Sequence, residues 1–337
     1  MSTTEQLTAQ ISFDRFRELR QFLQSFGDAQ NLLAPEQLMF RLRVLDELDA
    51  MIGGIDASGL ESGADSGLMA HAEELRRQLE GANAKVYQAA HAEIALCRYS
   101  ALLNGWLSEI TAGEATSAGL GFDPLDEIFS GVLQLREPDD TRLLLSQEMR
   151  AYQPTPARHI LDLIARCGLS SDDILVDLGS GLGHVPLMVG ILTGAGGLGV
   201  EVQTDHAASA QRAAEHLHLD HVRFVAEDAR TADVSSGTVF YLFTPFDGSI
   251  LTEVLDRLWA ESRKRPIKIC SLGPCTRALQ AQRWLREMQQ ADLERIAIFE
   301  SVAAPMQRPE ALGREIGHYR PVLRWRVDHR AQAISAG

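Results

Sequence analysis

Two periodicities divide the chain. From Phe13 to about Arg150 apolar residues return at three- and four-residue steps, as in Phe13, Phe16, Leu19 and Leu23 and again in Leu38, Leu42, Leu45 and Leu48. That spacing lines one face of an α-helix. Ala34-Pro35 opens one such segment, and Gly53-Gly54 is expected to close it, because proline suits the first helical turn and glycine the position after the last. Small residues from Asp56 to Gly67 read as a loop, and the alanine-rich stretch from Leu68 to about Thr111 as a long helix. No strand-like alternation stands out before residue 150.

After Ala151 the pattern changes to short β-branched runs separated by helix-length segments. The runs are Ile174 to Leu178, Leu198 to Val202, Val222 to Ala226, Thr238 to Phe243, Ile267 to Leu272, Arg295 to Glu300 and Pro321 to Val327. Between them, helices are expected at His184 to Thr193, Asp205 to His218, Ser249 to Arg263 and Thr276 to Gln290. This alternation predicts an α/β fold with a mostly parallel, seven-stranded sheet and helices on both faces. Two domains follow: an all-α N-terminal domain over 1–150 and an α/β domain over 151–330. Sites in such sheets lie outside the carboxyl ends of the strands, where strand order reverses, so the residues just after the strands carry the chemistry.

The first strand runs straight into Asp177-Leu178-Gly179-Ser180-Gly181-Leu182-Gly183-His184. Glycines there let the backbone approach a ligand where a Cβ would intrude. Neither frame completes G-x-G-x-x-G, since His184 and Pro186 stand at the sixth positions, and a pyrophosphate-binding loop is weakened accordingly. Glu201 ends the second strand about 20 residues on, where an acid accepts hydrogen bonds from ribose hydroxyls. Asp228, followed by Ala229, ends the third. Acids at successive strand ends suit a cofactor with a ribose, an adenine and a cationic centre, as in S-adenosylmethionine.

Composition narrows the classes further. Of 337 residues, 32 are Lys or Arg and 46 Asp or Glu, a formal charge of −14. That argues against a nucleic-acid partner, which requires clustered cations. A hydrophobic fraction of 45% with 23% charged residues is ordinary for a globular chain and speaks against disorder. Cys97, Cys167, Cys270 and Cys275 have no CxxC spacing, so neither a zinc site nor a disulfide framework is expected; Cys270 and Cys275 read as small packed hydrophobes. No signal-peptide pattern and no apolar stretch approaching about 20 residues occurs, and the expectation is a cytoplasmic protein without a membrane partner. His216, His218 and His221 crowd the turn before the third strand, on the side away from the strand carboxyl ends, and are not read as a metal site. Trp106, Tyr99 and Phe122 read as core.

These strand-end features, over about residues 150 to 327, resemble the class I S-adenosylmethionine-dependent methyltransferases, whose sheet is Rossmann-like. The resemblance implies that Asp177, Gly179, Ser180, Gly181 and Gly183 wrap the methionine end of the cofactor, that Glu201 holds the ribose, and that Asp228 with Ala229 meets the adenine. His184 follows the last glycine and either faces the cofactor or points to solvent. A narrower likeness lies upstream. Tyr152-Gln153-Pro154-Thr155-Pro156, leading to VDLGSGLGH, is similar to the Y-x-x-T segment and D-L-G-S-G loop of the Dot1-like, non-SET lysine methyltransferases. It implies that Tyr152 and Thr155 close over the methionine part.

The segment after the fourth strand, Tyr241 to Asp247, is the family's usual place for groups near the transferred methyl. Pro245 is expected to stiffen it, Phe246 to wall the acceptor pocket, and Asp247 or Tyr241 to handle a proton. Thr244-Pro245-Phe246 stands where Dot1-like enzymes carry an asparagine-containing motif. The expected function is methyl transfer from S-adenosyl-L-methionine to a small-molecule acceptor, with no metal; protein-lysine methylation, a non-catalytic cofactor-binding protein and a nicotinamide-dependent dehydrogenase are the alternatives. The N-terminal helices are expected to cover the acceptor pocket or to pair two copies into a homodimer.

Overall fold

The computed structural model describes residues 3–26, 29–56, 66–97, 100–112, 123–136, 138, 148–150, 152–290 and 292–302. The expected strand Pro321 to Val327, together with Tyr99 and Phe122, lies outside the described residues. The chain divides into two compact units, 1–89 and 90–337.

The first unit contains α1 (Thr3–Ser25), two short 3-10 turns (Ala29–Leu33 and Pro35–Gln37), α2 (Leu38–Asp56) and most of α3 (Ser66–Cys97). Its core is the helical stripe of the sequence, with Phe16, Leu19 and Leu23 packed with Val44, Leu45, Leu48, Leu75 and Leu79. Gly53-Gly54 does not end α2. The helix runs on to Asp56 because Ile52 and Ile55, on either side of the glycines, stay buried in that core. Arg41 is fully buried among these helices, its guanidinium donating to Asn83 Oδ1 at 2.7 Å and to the Leu32 carbonyl at 2.8 Å.

In the second unit the expected long helix breaks after α3. Ser100 starts α4 (Ala101–Ala112) by accepting the Leu103 amide at 3.0 Å while its hydroxyl donates to Glu93 at 2.8 Å. Then come α5 (Pro124–Leu133) and α6 (Ala157–Cys167). Asp126 of α5 both completes the capping box of its own helix and accepts the Ala157 amide of α6 at 2.6 Å. Arg158 pairs with Asp123 at 2.7 Å, so α5 is joined to the start of α6 by two polar contacts.

The sheet follows: β1 (Ile174–Leu178), α7 (His184–Thr193), β2 (Gly196–Glu201), α8 (Thr204–His216), β3 (Val222–Ala226), β4 (Val239–Leu242), α9 (Gly248–Ser262), β5 (Lys268–Ser271), α10 (Thr276–Gln280), β6 (Leu285–Glu287) and β7 (Ala297–Ser301). The strand order is β3-β2-β1-β4-β5-β7-β6, with β7 antiparallel to both its neighbours and the other pairings parallel. The order reverses between β1 and β4, which opens a cleft at their carboxyl ends. Helix α9 and the inner sheet face bury Val254, Leu255 and Leu258 with Phe240, Leu242 and Ile269.

The sheet has seven described strands, but one of them was not expected. The helix foreseen over Thr276 to Gln290 stops at Gln280, and Leu285–Glu287 becomes an edge strand. Pairing with β7 decides this: the Met288 amide donates to the Ile298 carbonyl at 2.9 Å, and Arg286 meets Glu300 at 2.9 Å across the strands.

Candidate active site

The ends of β1, β2, β3 and β4 open on a cavity of about 870 Å³. The glycine loop forms its floor. Gly179 has φ +86° and Gly181 φ +52°, both in the left-handed region that side chains disfavour. Space forbids a side chain as well, since a Cβ on Gly179 would collide with Pro245 and one on Gly181 with the Tyr152 ring. The loop is therefore squeezed between the segment before α6 and the exit of β4, and its Gly179 and Ser180 amides are tied to the Val200 carbonyl of β2 at 2.8 Å and 3.1 Å.

Glu201 holds the loop from the neighbouring strand. One of its oxygens accepts the Gly181 amide at 2.8 Å and the other the Gln203 amide at 2.8 Å, which leaves a further lone pair on each. Asp177 is buried beside it. Burial, with the negative charge of Glu201 adding to it, raises the Asp177 carboxyl well above the usual carboxylate range. Two buried acids around one loop disfavour an anionic ligand and favour a cationic one. Ser180 Oγ and Gln203 Oε1, both buried and both at the cavity, have no hydrogen-bond partner. Free carboxylate lone pairs on Glu201 and the unpartnered Ser180 and Gln203 oxygens fit a ribose-bearing, cationic cofactor such as S-adenosylmethionine.

The Tyr152–Pro156 segment lies against this floor. Tyr152 Oη is 3.1 Å from His184 Nδ1, and its ring packs edge-on to His206 with centroids 5.2 Å apart. His184 thus meets Tyr152 and does not point to solvent; burial pushes its pKa down to about 4, so the imidazole is neutral. Thr155 Oγ1 lies 3.0 Å from Tyr241 Oη. Tyr241 is buried and its hydroxyl is raised well above its ordinary value by that burial, which keeps the proton on the phenol. It is suited to orienting Thr155 and not to acting as a base.

The exit of β4 differs from a simple strand end. Thr244 has φ +42°, unusual for a β-branched residue. Its hydroxyl donates to the Leu272 carbonyl at 3.0 Å and accepts the Cys275 amide at 3.2 Å, so it anchors the loop to the exit of β5. Phe246 is buried and lines the cavity beside Pro245. Asp247 is ion-paired with Arg150 near the surface. Residues 148–150, which carry no sequence motif, run antiparallel along this loop: Met149 bridges Phe246, and the Arg150 amide donates to the Pro245 carbonyl at 3.0 Å. Glu148 caps α9, accepting the Ser249 hydroxyl at 2.8 Å and the Ile250 amide at 3.1 Å.

Asp228 and Ala229 reach the cavity wall from the end of β3, and Arg230 holds the Asp228 carboxylate through 2.7 Å and 3.1 Å contacts that lower its pKa. Gln203 at the start of α8 belongs to the site and was not singled out from sequence; its position two residues past Glu201 was the available signal. The histidines before β3 diverge. His218 Nδ1 lies 2.9 Å from the Ala95 carbonyl, His221 faces the Gly190 carbonyl, and no group of three metal-ligating side chains occurs among the described residues.

Residues 146–239 match the family model described as histone methylation protein DOT1. No curated protein matches the chain. Among solved structures, an RNA methyltransferase from Salinibacter ruber in complex with S-adenosyl-L-homocysteine aligns at 26% identity, over 48% of this chain and 100% of that one, with a TM-score of 0.37. The magnesium protoporphyrin IX methyltransferase of Synechocystis PCC 6803 with bound S-adenosylmethionine aligns at 13% identity, over 43% and 76%, with a TM-score of 0.34. A human methyltransferase 10 domain containing protein aligns at 18% identity, over 53% and 94%, with a TM-score of 0.36. The DOT1 match runs from the segment before α6 through the glycine loop to the first residue of β4, so over residues 146–239 the chain is similar to that family.

Proposed function

We propose that the protein transfers a methyl group from S-adenosylmethionine to a small-molecule acceptor. The observation that carries the cofactor half of this reading is the pair of buried acids, Asp177 and Glu201, on either side of a glycine loop too tight for any side chain. In the proposed arrangement Gly179 and Ser180, which line the cavity, pack against the methionine part and Glu201 takes the ribose hydroxyls, while Gly183 faces Phe224 and Ala210 and serves the packing of the loop. Gln203, Asp228 and Ala229 line the adenine end.

S-adenosylmethionine, when bound, supplies an electrophilic methyl on a sulfonium centre. Direct displacement requires an acceptor aligned in line and shielded from water. Pro245, Phe246 and Phe243 supply an apolar wall at the β4 exit, while the Thr244 hydroxyl and the 148–150 segment hold that wall in place. Tyr152 and Thr155 cover the loop from above, fixed by His184 and Tyr241. Asp247, on the β4 exit beside Phe246, is the acid placed for an acceptor proton, and its pairing with Arg150 would have to open for it to serve.

The cavity volume of about 870 Å³ supports a small acceptor, being within the range of ordinary ligand pockets. Protein-lysine methylation is the second reading, favoured by the DOT1 match. That match ends at residue 239, before the β4 exit, so it bears on the cofactor half and stops short of the acceptor wall. Incubation with isotopically labelled S-adenosylmethionine and two panels separates them. Label passing to small amines, phenols and carboxylic acids supports the first reading, and label entering histones or lysine peptides overturns it in favour of the second. Cofactor binding with no turnover in either panel would instead indicate a non-catalytic binding protein.

A further inference from the structure

Two of the four cysteines meet where the sequence kept them 103 positions apart. Cys167, the last residue of α6, and Cys270, in the middle of β5, bring their sulfurs to 3.1 Å in the interior. We propose that Cys167 and Cys270 form an oxidisable dithiol, a modification site at which a peroxide closes an internal disulfide joining α6 to β5.

The geometry requires little rearrangement, since about 1 Å of approach separates this contact from a disulfide bond of about 2.0 Å. The two thiols are also chemically unequal. Cys167 is held below its ordinary thiol value by the contact with Cys270 and by Lys268 and Arg166 nearby, whereas that same contact and burial raise Cys270. The Lys268 ammonium sits at this corner, donating to the Cys167 carbonyl at 3.1 Å. Cys167 is thus the sulfur to react first, and at 7% exposure it is reached only by a small oxidant. Its thiolate attacks the peroxide, the O–O bond breaks, hydroxide leaves and a sulfenic acid forms. The Cys270 sulfur then attacks the sulfenic sulfur, its proton joining the departing hydroxyl as water. In sum two thiols and one hydrogen peroxide give one disulfide and two waters, with both sulfurs oxidised and both peroxide oxygens reduced.

Cys275 is not part of this chemistry. Its sulfur lies 3.5 Å from the Leu272 carbonyl and 3.7 Å from that of Leu242, where it is a packed thiol. A Cys167–Cys270 bond would enclose β1 through β4 and secure the helix that begins directly after Tyr152–Pro156 to the strand beside Tyr241.

Full-length protein treated with hydrogen peroxide tests this through intact mass and non-reducing peptide maps. The expected result is loss of two hydrogens, one cross-linked peptide joining Cys167 to Cys270, a melting temperature higher by about 5 °C, and reversal of all three by dithiothreitol. Cys167→Ser and Cys270→Ser should each abolish the mass loss. Gain of oxygen without a cross-link, a cross-link between other cysteines, or an unchanged mass would overturn the proposal. If either serine variant fails to fold, the peptide map of the unsubstituted chain decides alone. None of these readouts depends on cofactor binding or turnover.

Discussion

Asp177 carries a conflict between stability and binding. Its carboxyl is raised by burial and by Glu201, so its ionised form is destabilising in the free chain and becomes favourable only beside a cation. Asp177→Asn should therefore raise the melting temperature by a few degrees while weakening S-adenosylmethionine binding, a pair of opposite shifts readable by thermal melts and titration calorimetry. His184 works in the other direction. Its folded pKa of about 4 lies below the ordinary 6.5, so between those values the unfolded chain binds more protons than the folded one, and stability falls as pH falls through that window. The loss reaches about 3 kcal/mol at full protonation. Denaturant melts between pH 7 and 4 should show it, and the His184→Gln variant should show a flatter profile.

At the scale of elements, the loop between β1 and α7 and the segment before α6 act as one device. Gly181→Ala would drive a Cβ into Tyr152 and also strain a φ of +52°, so cofactor affinity should fall at least tenfold. Tyr152→Ala added to Gly181→Ala removes the collision but leaves the strain, and it should restore the melting temperature more than the affinity. Equal effects of Tyr152→Ala in the two backgrounds would show that the contact is not the cause.

The glycine loop and its acids were legible because they follow one another within a single run of strand, turn and strand. What could not be read were features made by pairing across the sequence. Residues 148–150 look like the end of a helical half, yet their backbone pairs with the β4 exit. Leu285–Glu287 has helical spacing with its neighbours, yet β7 recruits it as an edge strand. Thr244 reads as a candidate near the methyl, and only the folded chain reveals its hydroxyl engaged at Leu272 and Cys275.

For the whole molecule, the change of periodicity near residue 150 and the division into compact units do not coincide. The units part at residue 89, and α5 stands in the second unit, where Asp126 caps α6 and Asp123 pairs with Arg158. A fragment of 151–337 would leave the α6 amide at Ala157 without its carboxylate. It should melt well below a fragment of 90–337, by roughly the several degrees expected for loss of a cap worth about 1 kcal/mol and an adjoining ion pair. Equal melting of the two fragments would show that α5 contributes nothing to the sheet-bearing unit.

The central claim is that the acids around the glycine loop hold a cationic nucleoside. The most direct measurement is isothermal titration of the full chain and of Glu201→Gln with S-adenosylmethionine and, separately, with NAD. The account predicts saturable binding of S-adenosylmethionine alone, with affinity reduced about 10- to 100-fold in the variant, the range for losing a charged hydrogen bond. Binding of NAD with no heat from S-adenosylmethionine, or equal S-adenosylmethionine affinities for the two proteins, would contradict it.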